Sequence, residues 1–149
     1  MGQTMERWLS PSPVTVDVEL SLAQAHRLMR DHQIRHLPVL DGGLLVGVVS
    51  MDDLHLMETF RDVDPEDVPV GDAMSPEPYV VHPEDDLAEV VLTMASRKYG
   101  SAIVVERGVV VGIFTSVDAL RLLGLLLGEG RKIRAPLGPP RRKVRRAPS

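Results

Sequence analysis

An internal repeat is the feature of this sequence that most constrains its fold. Positions 10–53 align with positions 75–118 without a gap, and the two segments share 13 identities over 44 positions. Unrelated segments of that length would share about three, from ordinary amino-acid usage. The sequence therefore contains one supersecondary unit twice, and the fold has to be built from both copies.

The pattern of apolar residues and turns in the first copy of the repeat predicts a βαββα unit. Residues 14–16 form a short extended run, and apolar residues recur at helical spacing over 21–32, where Ser21 and Gln24 make a capping box. Two apolar runs, 36–40 and 44–50, are joined by Asp-Gly-Gly. This is a strong hairpin signal, because glycine supplies the positive φ of a tight turn. A second helix is expected from about Met51.

The second copy repeats this order, so the fold class is α/β, of the mixed α+β kind. Its strands are predicted near 79–81, 101–106 and 109–114, and its helices near 86–98 and 116–127. The predicted organisation is unit 1 over 5–60, a polar, proline-punctuated linker over 61–69, unit 2 over 70–127, and a basic, proline-containing, disordered tail over 128–149.

Composition narrows the class of protein. Hydrophobic residues make up 44% of the chain and aromatic residues only 3%, so a real but aliphatic core is expected. There is no cysteine, which excludes disulfides and a thiol nucleophile and fits a reducing compartment. The longest apolar stretch, 120–128, is far shorter than the roughly 20 residues that a membrane span needs. We expect a soluble, cytoplasmic protein with no membrane partner.

Charge is divided unevenly along the chain. The segment 131–149 holds eight of the 17 basic residues and no acidic ones, so the segment 1–130 carries nine basic against 21 acidic side chains, a net charge of −12. Such an acidic body repels nucleic acid. Nucleic acid or an acidic partner protein could bind only the basic tail, which could equally stay solvated or contact the acidic body.

The repeated segments resemble the CBS domain pair, or Bateman module, a family named after cystathionine β-synthase. Both copies contain Gly-x-x-[Ser/Thr]-x-x-Asp, as Gly47–Asp53 (GVVSMDD) and Gly112–Asp118 (GIFTSVD). The "Ser-Pro-x-Pro" openings, Arg35–Val39 (RHLPV) and the Asp-Gly-Gly hairpin add to the resemblance, which covers about residues 5–127.

The resemblance implies two units packed about a pseudo-two-fold axis, with two clefts between them. Such clefts typically take AMP, ADP, ATP, S-adenosylmethionine or NAD. It also implies a homodimer formed through helices and a regulatory rather than enzymatic role, with the signal passed to a separate partner. The alternative is a dimerisation scaffold whose clefts bind nothing.

The twin Gly-x-x-[Ser/Thr]-x-x-Asp segments have two physical explanations. A carboxylate in the first helical turn, at Asp53 or Asp118, can accept hydrogen bonds from both hydroxyls of a ribose. Ser50 and Thr115 stand where a hydroxyl can contact ribose or phosphate. The same spacing is also an ordinary capping box. Capping and ligand binding can coexist.

The other candidate ligand contacts serve the base and the phosphate. β-Branched and apolar residues could form the apolar walls of an adenine site, although most of them are expected to lie in the core. Tyr79 stands where the first copy has Val14, and its ring could stack on a base or block the cleft. Arg35 and His36, at the start of a strand, suggest that the first cleft suits a phosphate. The predicted set is completed by Val14, Thr15, Val16, Pro38, Gly47, Val80, Val81, Ser101, Ala102 and Gly112.

No motif for catalysis or metal binding is found. HExxH, Walker A, GxGxxG and GxSxG are all absent from the sequence. His32 and His36 are four positions apart, but the repeat places a helix end and a strand start between them, so they should not share a helix face. The last predicted helix has leucines at 120, 122, 123, 125, 126 and 127, more than one face can bury, which favours dimerisation.

Overall fold

A computed structural model of the chain describes residues 2–11 and 13–128, and these contain the two predicted βαββα units. The helices are α1 (Leu22–His32), α2 (Met51–Glu58), α3 (Leu87–Arg97) and α4 (Ser116–Leu127). The strands are β1 (Ser10–Pro11), β2 (Val16–Asp17), β3 (His36–Asp41), β4 (Leu44–Ser50), β5 (Val80–Val81), β6 (Ser101–Glu106) and β7 (Val109–Thr115).

Each unit contains one small sheet with the same internal arrangement. The order is β2-β3-β4 in the first and β1-β7-β6-β5 in the second, with a parallel pair beside an antiparallel hairpin in both. The register shifts between Val39 and Leu40 in one hairpin and between Val104 and Val105 in the other, which are equivalent positions of the two copies. The repeat in the sequence is therefore a repeat in backbone geometry.

The first strand of each unit is shorter than predicted. Residues 14–16 and 79–81 were expected to be extended, whereas the strands are Val16–Asp17 and Val80–Val81. The reason is that a strand needs a partner, and the parallel ladder begins only where Val16 faces Val39 and Val80 faces Ile103.

Side-chain caps start the helices as the sequence predicts. At α1 the amide of Gln24 donates to Ser21 Oγ over 3.1 Å, and the Ser21 amide donates to the Gln24 side chain over 3.3 Å. At α3 the carboxylate of Asp86 accepts the amide of Glu89 over 3.0 Å. Caps of this kind satisfy amides that have no partner within the helix.

Two separate aliphatic clusters form the core. Leu22, Ala25 and Met29 of α1 pack with strand residues of the first sheet, and α3 packs on the second sheet in the same way around Phe114. Each cluster is completed by a residue from outside its own repeat unit. Met5 is fully buried in the second cluster, and Val70 is fully buried in the first.

The segments that precede the two units are exchanged between them. The amide of Leu87 donates to Gln3 O over 2.8 Å, and β1 pairs with β7. In the other direction, the amide of Leu22 donates to Val68 O over 2.9 Å. The sequence boundaries group Met5 with unit 1 and Val70 with unit 2, whereas the packing joins each residue to the opposite unit. The physical reason is that the apolar residues of each exchanged segment, with Trp8 and Leu9 beside Met5 and with Ala73 and Met74 beside Val70, leave water by packing on the opposite cluster.

Glycine lies where the exchanged segments pair along the edges of the sheets, beside β4 and β7. A Cβ atom on Gly47 would lie 2.7 Å from Ser75 O and 2.5 Å from Met74 Sδ, and a Cβ on Gly112 would lie 3.0 Å from Ser10 O. The sequence predicts a close approach at these glycines, but to a ligand. The structure shows that the neighbour is the chain itself.

We expect Gly47→Ala to lower the free energy of unfolding by about 1–3 kcal/mol, because the methyl group has to displace the Ser75 backbone. Urea unfolding of the two proteins measures this difference. Equal stability of Gly47→Ala and the parent protein would contradict this close approach.

No helix in residues 2–11 and 13–128 is long and apolar enough to cross a bilayer. The predicted basic tail, 128–149, and its suggested contact with nucleic acid or an acidic partner concern residues that, from 129 onward, lie outside those described.

Candidate functional site

The two units meet where their hairpins begin. A Cβ on Gly100, just before β6, would lie 3.0 Å from Nε2 of His36, the first residue of β3. The helix that follows each hairpin is tied to the same place, since the amide of Met51 donates to Arg35 O over 2.8 Å and that of Ser116 to Gly100 O over 3.0 Å. Strand starts and helix starts of both units therefore converge between the units.

A cleft of about 380 Å³ opens at this convergence, and we call it the first cleft. Its volume lies within the range of small-molecule sites. Both units line it, so it belongs to neither alone. The lining residues are His36, Val48, Ser50, Asp52 and Asp53 from the first unit, and Ser75, Glu77, Pro78, Tyr79, Lys98, Tyr99, Gly100 and Ser101 from the second unit and the segment before it.

Asp53 lines the first cleft and caps α2 at the same time. One carboxylate oxygen, Oδ2, accepts the Ser50 amide over 2.8 Å, and the Asp53 amide donates to Ser50 Oγ over 3.1 Å. A carboxylate has about four lone-pair sites, so this cap leaves acceptor capacity unused. The capping-box explanation of the Gly-x-x-[Ser/Thr]-x-x-Asp segment therefore holds at Asp53, and the cap leaves its carboxylate able to accept further hydrogen bonds.

The second copy of this junction has the same geometry. The Thr115 amide donates to Asp118 Oδ2 over 2.8 Å, and the Asp118 amide donates to Thr115 Oγ1 over 3.3 Å. Here the other oxygen has a cationic neighbour, because Arg121 Nη1 lies 3.4 Å from Asp118 Oδ1. Asp118 therefore differs from Asp53 in its electrostatic surroundings, although the caps are alike.

Two tyrosines form an aromatic wall of the first cleft. The ring centroids of Tyr79 and Tyr99 are 5.0 Å apart with an interplanar angle of 30°. Both side chains are half-buried and pack on the second core cluster. The corresponding residues of the other copy are Val14 and Ile34, so the aromatic pair is specific to one half of the repeat.

His36 is neutral at pH 7. Burial of the imidazole lowers its pKa below the ordinary value of 6.5, and the neighbouring charge of Arg35 lowers this pKa further; Asp53 and Asp52 oppose both effects in part. Arg35 itself is directed to a carboxylate, with Nη2 at 3.3 Å from Asp52 Oδ1. The pair predicted to provide cations for a phosphate thus offers a neutral ring and an arginine already paired with an acid.

The remaining predicted contacts are distributed as follows. His36, Ser50, Asp53, Tyr79 and Ser101 line the first cleft. The residues buried in the core or under the exchanged segments are Val16, Pro38, Gly47, Val81, Ala102 and Gly112. Val14 and Thr15 are half-buried, and Val80 is 40% exposed.

Sequence reasoning missed several lining residues from the second unit. Glu77, Lys98 and Tyr99 share the first cleft with Asp53, although they are distant from it in the sequence. The cleft joins the helix start of one copy to the strand starts of the other, a pairing that the spacing within either copy does not reveal. One signal was present in the sequence: the second copy has aromatic residues at three positions where the first copy has none, and two of them, Tyr79 and Tyr99, line the cleft.

His32 and His36 lie on different secondary-structure elements, as the repeat predicts. His32 ends α1 and His36 begins β3, so the two side chains are not on one helix face. In the part of the chain that the structure describes, no group of three or more His, Cys, Asp or Glu side chains is arranged to hold a metal ion.

Comparison with known proteins identifies the family to which the chain belongs. The profile of the CBS domain matches residues 6–56 and 70–125, one match per repeat unit. The chain therefore belongs to the CBS domain family, with its two units arranged as a CBS domain pair, as the resemblance predicts.

Particular relatives include proteins of different activity. The chain is 35% identical over 114 residues to an inosine-5′-monophosphate dehydrogenase of Korarchaeum cryptofilum, covering 76% of this chain. It spans only 22–31% of the length of that enzyme and of two other curated relatives. Those larger proteins thus carry the same pair of units as one part of a longer chain.

Two solved structures with the same fold contain ligands. The CBS domain pair of protein MJ0100, solved with 5′-methylthioadenosine and S-adenosyl-L-methionine, is 26% identical with a TM-score of 0.75, covering 83% of this chain and 98% of that one. CBSX2, solved with AMP, is 27% identical with a TM-score of 0.70, covering 85% and 99%. The ligands of these two proteins share an adenosine group.

The position of His36 predicts a pH dependence of stability. The pKa of His36 is lowered by folding, so between this value and about 6.5 the unfolded chain binds a proton that the folded chain does not. Above about pH 6.5 the imidazole is neutral in both states and does not lower the free energy of unfolding. As the pH falls through that window, the proton bound by the unfolded chain lowers the free energy of unfolding. We expect the free energy of unfolding to decrease less between pH 7.5 and 5.5 in His36→Gln than in the parent protein.

Urea unfolding at the two pH values measures the difference. The control is His32→Gln, which replaces an exposed histidine on α1 and should keep the pH dependence of the parent. An unchanged pH dependence in His36→Gln would show that this imidazole is not held in its neutral form.

Proposed function

We propose that this protein is a regulatory module that binds an adenosine-containing ligand between its two CBS units and has no catalytic activity of its own. The observation that carries the proposal is the position of Asp53, whose carboxylate caps α2 and lines a cleft that also contains an aromatic pair. A ribose and a purine need these two kinds of contact side by side.

The ribose is assigned to Asp53. Its cap uses Oδ2 for the Ser50 amide, and the remaining lone pairs can accept hydrogen bonds from the 2′- and 3′-hydroxyls. Ser50 and Ser101 add polar atoms in the same cleft. Because the cap fixes the rotamer of the carboxylate, little conformational entropy is lost when the sugar binds.

The base is assigned to the apolar side of the cleft. Val48 and Pro78 offer aliphatic surface and Tyr79 an aromatic face, so a purine ring can be held between flat apolar surfaces. The two ligand-bound relatives support the assignment, since methylthioadenosine, S-adenosylmethionine and AMP differ at the 5′ position but share the nucleoside.

Regulation follows from the composite nature of the cleft. A ligand that contacts residues of both units is sensitive to how the units are placed, and it favours the arrangement that it binds more tightly. The exchanged segments link the relative placement of the two units to the ends of the module. We propose that the resulting change of shape is read by a separate regulated protein.

We expect ligand binding at the first cleft to be lost in Asp53→Asn. Asparagine keeps an oxygen acceptor for the Ser50 amide but replaces the second oxygen with a donor group, so the cap survives while the ribose contact does not. A ligand at 100 times its Kd stabilises the parent by about 2.7 kcal/mol and raises Tm by several degrees. Thermal melts with AMP, ADP, ATP, S-adenosylmethionine and NAD measure this.

The matched control is Asp86→Asn, the same change at a carboxylate that caps α3 outside the cleft. It should keep the ligand-induced increase of Tm, which Asp53→Asn should reduce. No shift with any of these ligands in the folded parent would favour the alternative function, a dimerisation scaffold.

We also propose that the module is a homodimer formed through α2 and α4. None of the α4 residues is buried, and Leu120, Leu123 and Leu127 are 65%, 48% and 70% exposed. At the equivalent place in the first unit, Leu56 and Phe60 are 60% and 52% exposed. A second copy of the chain presents the same apolar helices and can cover this surface in a self-complementary way.

Leu123→Glu should convert the dimer to a monomer, because a carboxylate placed in an apolar interface has to be desolvated. Sedimentation velocity measures the mass. Leu44→Glu, which adds the same charge at an exposed leucine on the hairpin tip, should leave the dimer intact. A monomeric parent protein, or a dimer unaffected by Leu123→Glu, would contradict this arrangement.

A further inference from the structure

The charges around the first cleft point to a particular kind of ligand. Three carboxylates line it, those of Asp52, Asp53 and Glu77, and its cationic side chain is that of Lys98. His36 also lines it, but its lowered pKa leaves the ring neutral at pH 7. The lining thus carries more negative than positive charge.

The arginine next to the cleft does not reverse this balance. Arg35 Nη2 lies 3.3 Å from Asp52 Oδ1, so its charge is directed to one of the same carboxylates. Even with Arg35 included, three acids face two cations. A phosphate ester, which brings about −1.5 to −2 charges at pH 7, would enter an already negative site.

The acidic lining is particular to this cleft and is not required by the repeat. At the equivalent positions of the other copy, Val117 stands in place of Asp52, Gln33 in place of Lys98, and Ser12 in place of Glu77. Only Asp53 has an acidic counterpart, Asp118. The fold is therefore compatible with uncharged residues at these positions, so the charge of this cleft is a property of its own side chains.

We infer that the first cleft selects an adenosyl ligand that has no phosphate and is cationic or neutral at its 5′ position, with S-adenosylmethionine the best match. The inference rests on the proposed function, since it concerns the same cleft. The sulfonium and the ammonium groups of this ligand are attracted by the acidic lining, while its carboxylate can pair with Lys98. AMP, ADP and ATP carry only added negative charge at the 5′ end, and in NAD the two negative phosphates outweigh the single positive charge of the nicotinamide ring.

This inference differs from the sequence-based expectation that Arg35 and His36 equip a cleft for a phosphate. That expectation relied on Arg35 and His36 as cations. The structure pairs the first with Asp52 and keeps the second neutral.

The test is isothermal titration of the full-length chain at low salt with S-adenosylmethionine, 5′-methylthioadenosine, AMP and ATP. Binding to the first cleft is defined as the binding that the parent protein shows and Asp53→Asn does not. At this site we expect S-adenosylmethionine to bind at least about tenfold more tightly than AMP or ATP. The preference should weaken as salt is added.

Glu77→Lys tests the cause of the preference. This exposed residue can be changed without disturbing the core, and the new charge should shift the ratio of S-adenosylmethionine to AMP affinity by at least about tenfold towards AMP. Glu84→Lys makes the same change of net charge at an exposed residue outside the cleft and should leave the ratio unchanged.

The outcomes separate the two proposals. Tighter binding of AMP or ATP at the Asp53-dependent site, or an unchanged ratio in Glu77→Lys, would overturn the charge argument while leaving an adenosine-binding module. No Asp53-dependent binding of any of the four ligands would overturn the proposed function and this inference with it.

Discussion

The structure depends on two places where a glycine lets the backbone of one segment lie close against a sheet edge. At Gly47 and at Gly112, the segment that precedes the opposite unit lies where a side chain would begin. These segments also deliver Val70 and Met5 to the cores, so neither unit has a complete core without the other. The exchange holds the two units face to face, and the cleft between them exists because of it.

The helix-start carboxylates show how one residue can meet a folding requirement and remain available for binding. Asp53 accepts the Ser50 amide and thereby stabilises the first turn of α2, as Asp118 does for α4. The same hydrogen bond fixes the direction of the carboxylate. A rigid acceptor at the edge of a cleft is what a sugar with two neighbouring hydroxyls requires, so the cap is part of the proposed ligand site and not an alternative to it.

Duplication produced two similar junctions with different surroundings. The backbone repeats closely, including the shifted register in both hairpins. The side chains around the two junctions have diverged, with Tyr79 and Tyr99 against Val14 and Ile34, and with Asp52 against Val117. Backbone geometry is fixed by packing that both copies share, whereas exposed side chains such as Asp52 belong to neither core and can differ between the copies.

The sequence by itself determined the βαββα unit, its duplication, the capping boxes at Ser21, Ser50 and Thr115, and the hairpin turn, where Gly42 and Gly43 adopt positive φ. These features depend on residues close together in the chain, and local spacing reports them. Only the tertiary structure decided that Met5 and Val70 pack on opposite units, that Gly47 and Gly112 face the chain, and that Asp53 shares a cleft with Glu77 and Lys98. Such contacts join residues far apart in sequence, and no local periodicity records which of them meet.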